Sequence, residues 1–122
     1  MRGLFYARMR PALVGRPGRK DTILKLYIAG PMSGLPDFNY PAFHAAEAQL
    51  KALGHETLNP ANNAQQDGWE GYMRAGIAQV IQADGIAYLP GSEGSRGARL
   101  ELHIAAELSL DVRPLDEWLT AA

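Results

Sequence analysis

The sequence predicts an α/β domain built on a parallel sheet, and three observations carry that prediction. Short β-branched and aromatic runs alternate with longer stretches whose apolar residues recur at helical spacing. Clusters of Gly, Pro, Ser and Asn mark the changes from one to the other. The length, 122 residues, suits one hydrophobic core and no more. Strictly alternating strands and helices imply parallel pairing through right-handed crossovers.

The first strand is Leu24-Lys25-Leu26-Tyr27-Ile28-Ala29, which stops at Gly30-Pro31. Turn formers fill Gly30 to Pro41, and Pro41 suits the opening turn of a helix running to about Leu53, with Phe43, Ala46 and Leu50 on one face. Gly54 ends that helix, a short strand covers His55 to Leu58, and Asn59-Pro60 begins a polar stretch leading to Gly68. A second helix spans about Trp69 to Ala83, with Trp69, Tyr72/Met73, Ile77 and Val80/Ile81 in register. Gly85 to Leu89 is the third strand. A Gly/Ser loop follows, then a third helix from about Gly97 to Leu108 with Leu100, Ile104 and Leu108 in register. Val112-Arg113-Pro114 reads as a short edge strand and Leu115 to Leu119 as a terminal helical turn. The expectation is a small Rossmann-like (flavodoxin-like) parallel sheet of about four strands flanked by helices. Residues 22–122 form one domain, and residues 1–21 a basic, flexible extension or an overlong translation start.

The charge is asymmetric. Six of the twelve basic residues (Arg2, Arg8, Arg10, Arg16, Arg19, Lys20) precede Asp21, the first of thirteen acids. The acidic body argues against a general nucleic-acid binder, which needs a basic face. There is no cysteine, so neither a disulfide framework nor a thiolate nucleophile is available. No apolar run approaches the roughly 20 residues of a membrane span and no signal-peptide pattern opens the chain. These features lead us to expect a soluble, cytoplasmic protein.

In a parallel sheet ligands gather outside the carboxyl ends of the strands. The loops leaving strands one and three, Gly30–Asn39 and Pro90–Arg96, therefore converge on one edge and should line one pocket. Within them Ser92, Ser95, Gly94 and Gly97, with Arg96 and Arg99, form a candidate anion cradle: small residues expose backbone N–H groups and guanidinium groups fork onto oxygens. Glu101 follows one turn into the helix. Near Ala98 and Ala105 it meets small apolar surface, which raises its pKa, while helix N–H groups and Arg96 or Arg99 would hold it ionised. A charged carboxylate in a dry cleft can attack a sugar anomeric carbon. The alternative is a surface Glu paired with Arg99 or His103.

Tyr27 alternates with Leu26 and Ile28 and faces the other side of the sheet, either toward the site or as a core tyrosine. Asp84 ends the second helix, where its charge opposes the helix dipole, as a candidate acid or as a turn former. Trp69 and Tyr72 either stack on a planar ligand or pack in the core. His44, His55 and His103 share no metal-ligand spacing, and no dinucleotide, Walker-type or serine-hydrolase motif is present.

Several of these residues together resemble a known family. Tyr27-Ile28-Ala29-Gly30-Pro31-Met32-Ser33-Gly34, Asp37-Phe38-Asn39, Asn59-Pro60, Trp69 with Tyr72-Met73-Arg74, Ala83-Asp84-Gly85 and Ser95-Arg96-Gly97-Ala98-Arg99-Leu100-Glu101 are similar to the domain-of-unknown-function family 4406. That family looks like a branch of the nucleoside 2-deoxyribosyltransferase superfamily, which includes 2′-deoxynucleoside 5′-phosphate N-hydrolases. The resemblance implies that Glu101 is the nucleophile and Tyr27 the tyrosine that contacts it. It places Ser95 on a 5′-phosphate and makes Gly30, Met32, Ser33 and Gly34 a sugar-phosphate loop, with Asn39 beside it. It also implies a homodimer or higher homo-oligomer and no metal or organic cofactor. One position departs from the pattern: relatives carry an Asp eight residues before Asp84 that assists departure of the base, and this chain has Gly76. Asp84, Asp37 and Glu93 are the acids left to compensate.

The expected function is hydrolysis or transfer at the N-glycosidic bond of a (deoxy)nucleoside 5′-monophosphate. A nucleotide-binding sensor that lost the acid at position 76 is the alternative, and an oligomeric scaffold a third reading.

Overall fold

The computed structural model describes residues 23–120, so the basic segment read at residues 1–21 lies outside the described residues. Four strands, β1 (Lys25–Ala29), β2 (Glu56–Leu58), β3 (Gly85–Tyr88) and β4 (Asp111–Pro114), form one sheet in the order β2-β1-β3-β4. Every neighbouring pair is parallel. Tyr27 stands beside Leu58 on one side and Ile86 on the other. The connections are the helices α1 (Tyr40–Ala52), α2 (Gly68–Val80) and α3 (Arg96–Glu107), and α4 (Leu115–Thr120) follows β4. The expected α/β class and four-stranded parallel sheet are what the chain forms. Among the described residues no helix is long and apolar enough to cross a membrane.

Side chains alternate across a strand, so the sheet separates its apolar residues into two cores. Leu26 and Ile28 join Phe43, Ala46 and Leu50 of α1 and Trp118 of α4 on one face. Tyr27 and Ala29 join Val80 of α2 and Ala105 of α3 on the other. The α1 face is the one read from spacing, and Gly54 ends this helix with a positive φ of 95° that a residue lacking Cβ adopts freely.

Two helices differ from expectation. The second stops at Val80, short of Ala83, and buries Met73, Gly76 and Val80, while Ile81 is 60% exposed. On α3 the inward face is Ala98, Glu101 and Ala105, not Leu100, Ile104 and Leu108. Small side chains let that helix lie close to the sheet and to α2, so closeness of packing, not hydrophobicity, selects the buried face.

Candidate active site

The strand order reverses between β1 and β3, where the chain leaves β1 for α1 on one face and leaves β3 for α3 on the other. A crevice opens at such a switch point. Tyr27, the third residue of β1, is 1% exposed on the α2/α3 face. Its hydroxyl donates to Glu101 Oε2 at 2.7 Å. Glu101 lies in the second turn of α3 and is 7% exposed.

Burial pushes the Glu101 carboxyl up to about 7, and the hydrogen bond from Tyr27 only partly opposes it. The Tyr27 phenol is driven well above its usual value by burial, by the Glu101 charge and by donation to that carboxylate. The guanidinium groups expected to hold Glu101 ionised are engaged elsewhere. Arg96 lies over the Trp69 ring, 3.6 Å from its centroid, and Arg99 donates to the Glu93 carbonyl at 3.2 Å on the exposed side of its helix. Desolvation therefore dominates, and the reading of Glu101 as a surface residue paired to Arg99 or His103 does not hold.

Beside this pair opens a cavity of about 370 Å³. Gly30, Met32 and Ser33 line it from the strand-one loop, and Ser95, Gly97 and Ala98 from the start of α3. The two loops thus share one cavity, as the topology required. Aromatic rings form much of the remaining wall: Phe38, Tyr40 and Phe43 on one side, Trp69 and Tyr72 on the other. Trp69 and Tyr72 thus belong to the cavity and not to the core, Tyr72 being 41% exposed.

The α3 N-terminus faces this space through residues that carry no bulk. Ser95 is its N-cap, accepting the Ala98 N–H at 3.2 Å through Oγ. The amides of Arg96 and Gly97 begin the helix and have no intrahelical acceptor, which leaves both donors at the positive end of the helix dipole.

Other expected residues do different work. Ser92 is buried and donates to the Leu89 carbonyl at 2.7 Å, fixing the turn after β3. Gly34 sits outside the cavity wall with a φ of 81°. Asn39 stays beside the loop and donates to the Pro31 carbonyl at 3.0 Å, tying together the ends of a turn in which Asp37, Phe38 and Asn39 all have positive φ. This left-handed turn presents the Phe38 ring at the cavity mouth, 58% exposed. Asp84 is a correction. It accepts the Lys25 N–H at 2.8 Å at the amino end of β1, at the opposite end of the strands from the cavity, and cannot act there as an acid.

Sequence reasoning did not select Tyr40, Pro60, Asn63, Gly68 or Met73 as site residues, yet all line the cavity. The Asn-rich stretch after Asn59-Pro60 was a signal for Asn63, whose Nδ2 donates to Gln79 at 2.8 Å. Among the described residues no cluster of three or more His, Cys, Asp or Glu stands ready for a metal ion.

At position 76 the helix carries no side chain where the Glu101–Tyr27 pair meets it. A Cβ there would sit 2.5 Å from Glu101 Oε2 and 2.8 Å from the Tyr27 hydroxyl.

No curated protein matches the chain. A family model does, over residues 24–113, from the first strand to the last. The chain belongs to the domain of unknown function family DUF4406.

Proposed function

We propose that the protein cleaves or transfers the N-glycosidic bond of a (deoxy)nucleoside 5′-monophosphate with Glu101 as the nucleophile. One observation carries this reading: a buried carboxylate, held by a single phenol, beside a cavity with aromatic walls and the N-terminus of α3. Tyr27 occupies Oε2, so Oε1 is the atom that bonds to C1′. The C1′–N bond breaks, the base departs with its electron pair and is protonated from solvent, and a glycosyl ester remains on Glu101. Water then attacks C1′, releasing the carboxylate and giving its proton to solvent. A second base in place of water makes the reaction a transfer.

The phosphate would lie against Ser95 and the amides of Arg96 and Gly97, with Arg96 at the rim beside Trp69. The base would stack among the aromatic rings. Because Glu101 titrates near neutrality, attack requires the fraction ionised, and kcat/KM rises with pH through about 7. A cytoplasmic homodimer or higher homo-oligomer that needs no cofactor completes the proposal.

A second reading is a nucleotide-binding sensor, and a specific observation favours it. Among the described residues Glu101 is the only acid lining the cavity, so no second carboxyl stands there to protonate a departing base. Incubation with each deoxynucleoside monophosphate, followed by chromatography for free base, separates the two. Release of base supports the enzyme. Binding without release, unchanged in a Glu101→Gln variant, supports the sensor, and no nucleotide binding at all leaves the scaffold.

A further inference from the structure

Side chains of one charge only reach the cavity. Among the described residues that line it, Glu101 is the one carboxyl, and no Lys, Arg or His stands beside it. Phe38, Tyr40, Phe43, Trp69 and Tyr72 make up much of the remaining wall. The face of an aromatic ring is the negative part of its quadrupole, so the rings and the carboxylate favour the same kind of ligand, a flat cation. Trp69 already holds one: the planar Arg96 guanidinium lies 3.6 Å from its centroid.

Proton supply points the same way. A neutral base leaves C1′ with the bonding electron pair and has to be protonated, which a positioned acid accelerates by about 10²–10⁴-fold. The only carboxyl on the wall is the attacking group itself, and the Tyr27 hydroxyl donates its proton to that carboxyl at 2.7 Å. The other proton-bearing side chains there are phenols, alcohols, an amide and an indole, all much weaker acids than a carboxyl. A base that is already positively charged needs no proton, because the electron pair of the broken bond cancels the charge on its ring nitrogen.

Resting on the reading of Glu101 as the attacking carboxylate, we propose that the substrate is a nucleoside 5′-monophosphate whose base is itself a cation, a heteroaromatic ring quaternised at nitrogen such as a pyridinium or an N-alkylated purine. Glu101 Oε1 bonds to C1′ as the C1′–N bond breaks, so carboxylate and cation become an ester and a neutral heterocycle. Both charges disappear together in a site where desolvation makes each of them costly. Water then attacks C1′, its proton passes to solvent and the carboxylate is restored. The amides at the start of α3 and the Arg96 guanidinium remain for the phosphate.

Two measurements test this, both at pH 8, where Glu101 is ionised. The first compares 1-methylpyridinium-3-carboxamide with 3-methylbenzamide, which share a shape and differ in charge, by calorimetry up to roughly 10 mM ligand. The cation is expected to bind at least about tenfold more tightly, and Glu101→Gln to cut that preference severalfold. Equal affinities, no binding of the cation, or a preference unchanged in Glu101→Gln overturns the proposal. The second follows base release from nucleotides of pyridinium-3-carboxamide and of the common bases, each as ribose and 2′-deoxyribose 5′-monophosphate, with Glu101→Gln as the blank. The cationic base is expected to give a kcat/KM at least about 100-fold higher. Release of a common base at a comparable rate overturns this substrate class and leaves the N-glycosidic reading standing. Release from neither class overturns both.

Discussion

Two carboxylates face opposite sides of the sheet, and their surroundings assign them opposite tasks. Glu47 of α1 accepts from Thr57 at 2.6 Å, Asn59 at 3.1 Å and Asn62 at 3.4 Å, with Lys51 at 3.5 Å. Burial works to raise its pKa, but these hydrogen bonds and the lysine outweigh it, and the carboxyl lies below its usual value. Glu101 of α3 is buried more deeply and has one donor, and its pKa moves the other way. A carboxylate with every lone pair engaged pins β2 and the following turn to α1. One with a lone pair unused keeps its reactivity and costs stability.

The widest expected difference is in turnover. Under the proposed reaction Glu101→Gln removes the nucleophile and lowers kcat on the order of 10⁴-fold or more, while Glu47→Gln leaves it within a few-fold, as steady-state assay of base release will measure. Equal losses in the two variants erase the distinction.

Stability should separate them by sign. The folded pKa of Glu101, about 7, lies above the ordinary 4.5, so folding takes up a proton between those values and stability falls as pH rises through that window. Glu101→Gln is therefore expected to stabilise the fold by on the order of 3 kcal/mol at pH 8 and hardly at all at pH 4, read by urea unfolding. Glu47→Ala is expected to destabilise it by about 1–3 kcal/mol at pH 7, because buried Asn59 loses its carboxylate acceptor. Since the Glu47 pKa is depressed, that contribution is present above its unfolded pKa and is lost as pH falls through the folded value.

The smallest effect sharpens the account of Glu101 alone. Tyr27→Phe deletes the one bond that favours the charged form, so the acid limb of the pH–rate profile should move to higher pH by about one unit. A limb that stays in place means that Tyr27 is packing and not electrostatics.

Much of the frame could be read from the chain because the signals are local. The burial of Phe43, Ala46 and Leu50 follows from spacing, and the opposition of Tyr27 to Leu26 and Ile28 follows from strand alternation. The convergence of the strand-one and strand-three loops follows from parallel topology. Readings that needed a partner fared differently. The leucines of α3 looked like its core face, but helix packing chose Ala98, Glu101 and Ala105. Arg96 and Arg99 stood near Glu101 in sequence, yet Trp69 and the Glu93 carbonyl hold them. Asp84 had the right residue type and fell at the wrong end of the strands. Gly76, where an acid was missed, lies against the Glu101–Tyr27 pair, a contact that no sequence spacing announces.

By itself the sequence determined the order of strands and helices and the loops that meet at one sheet edge, because propensity and periodicity act over a few residues. The tertiary structure alone decided which carboxylate is left with one donor and which arginines are turned away. Those depend on desolvation and on distances of a few ångströms between residues up to 74 apart in the chain, and no local pattern encodes them.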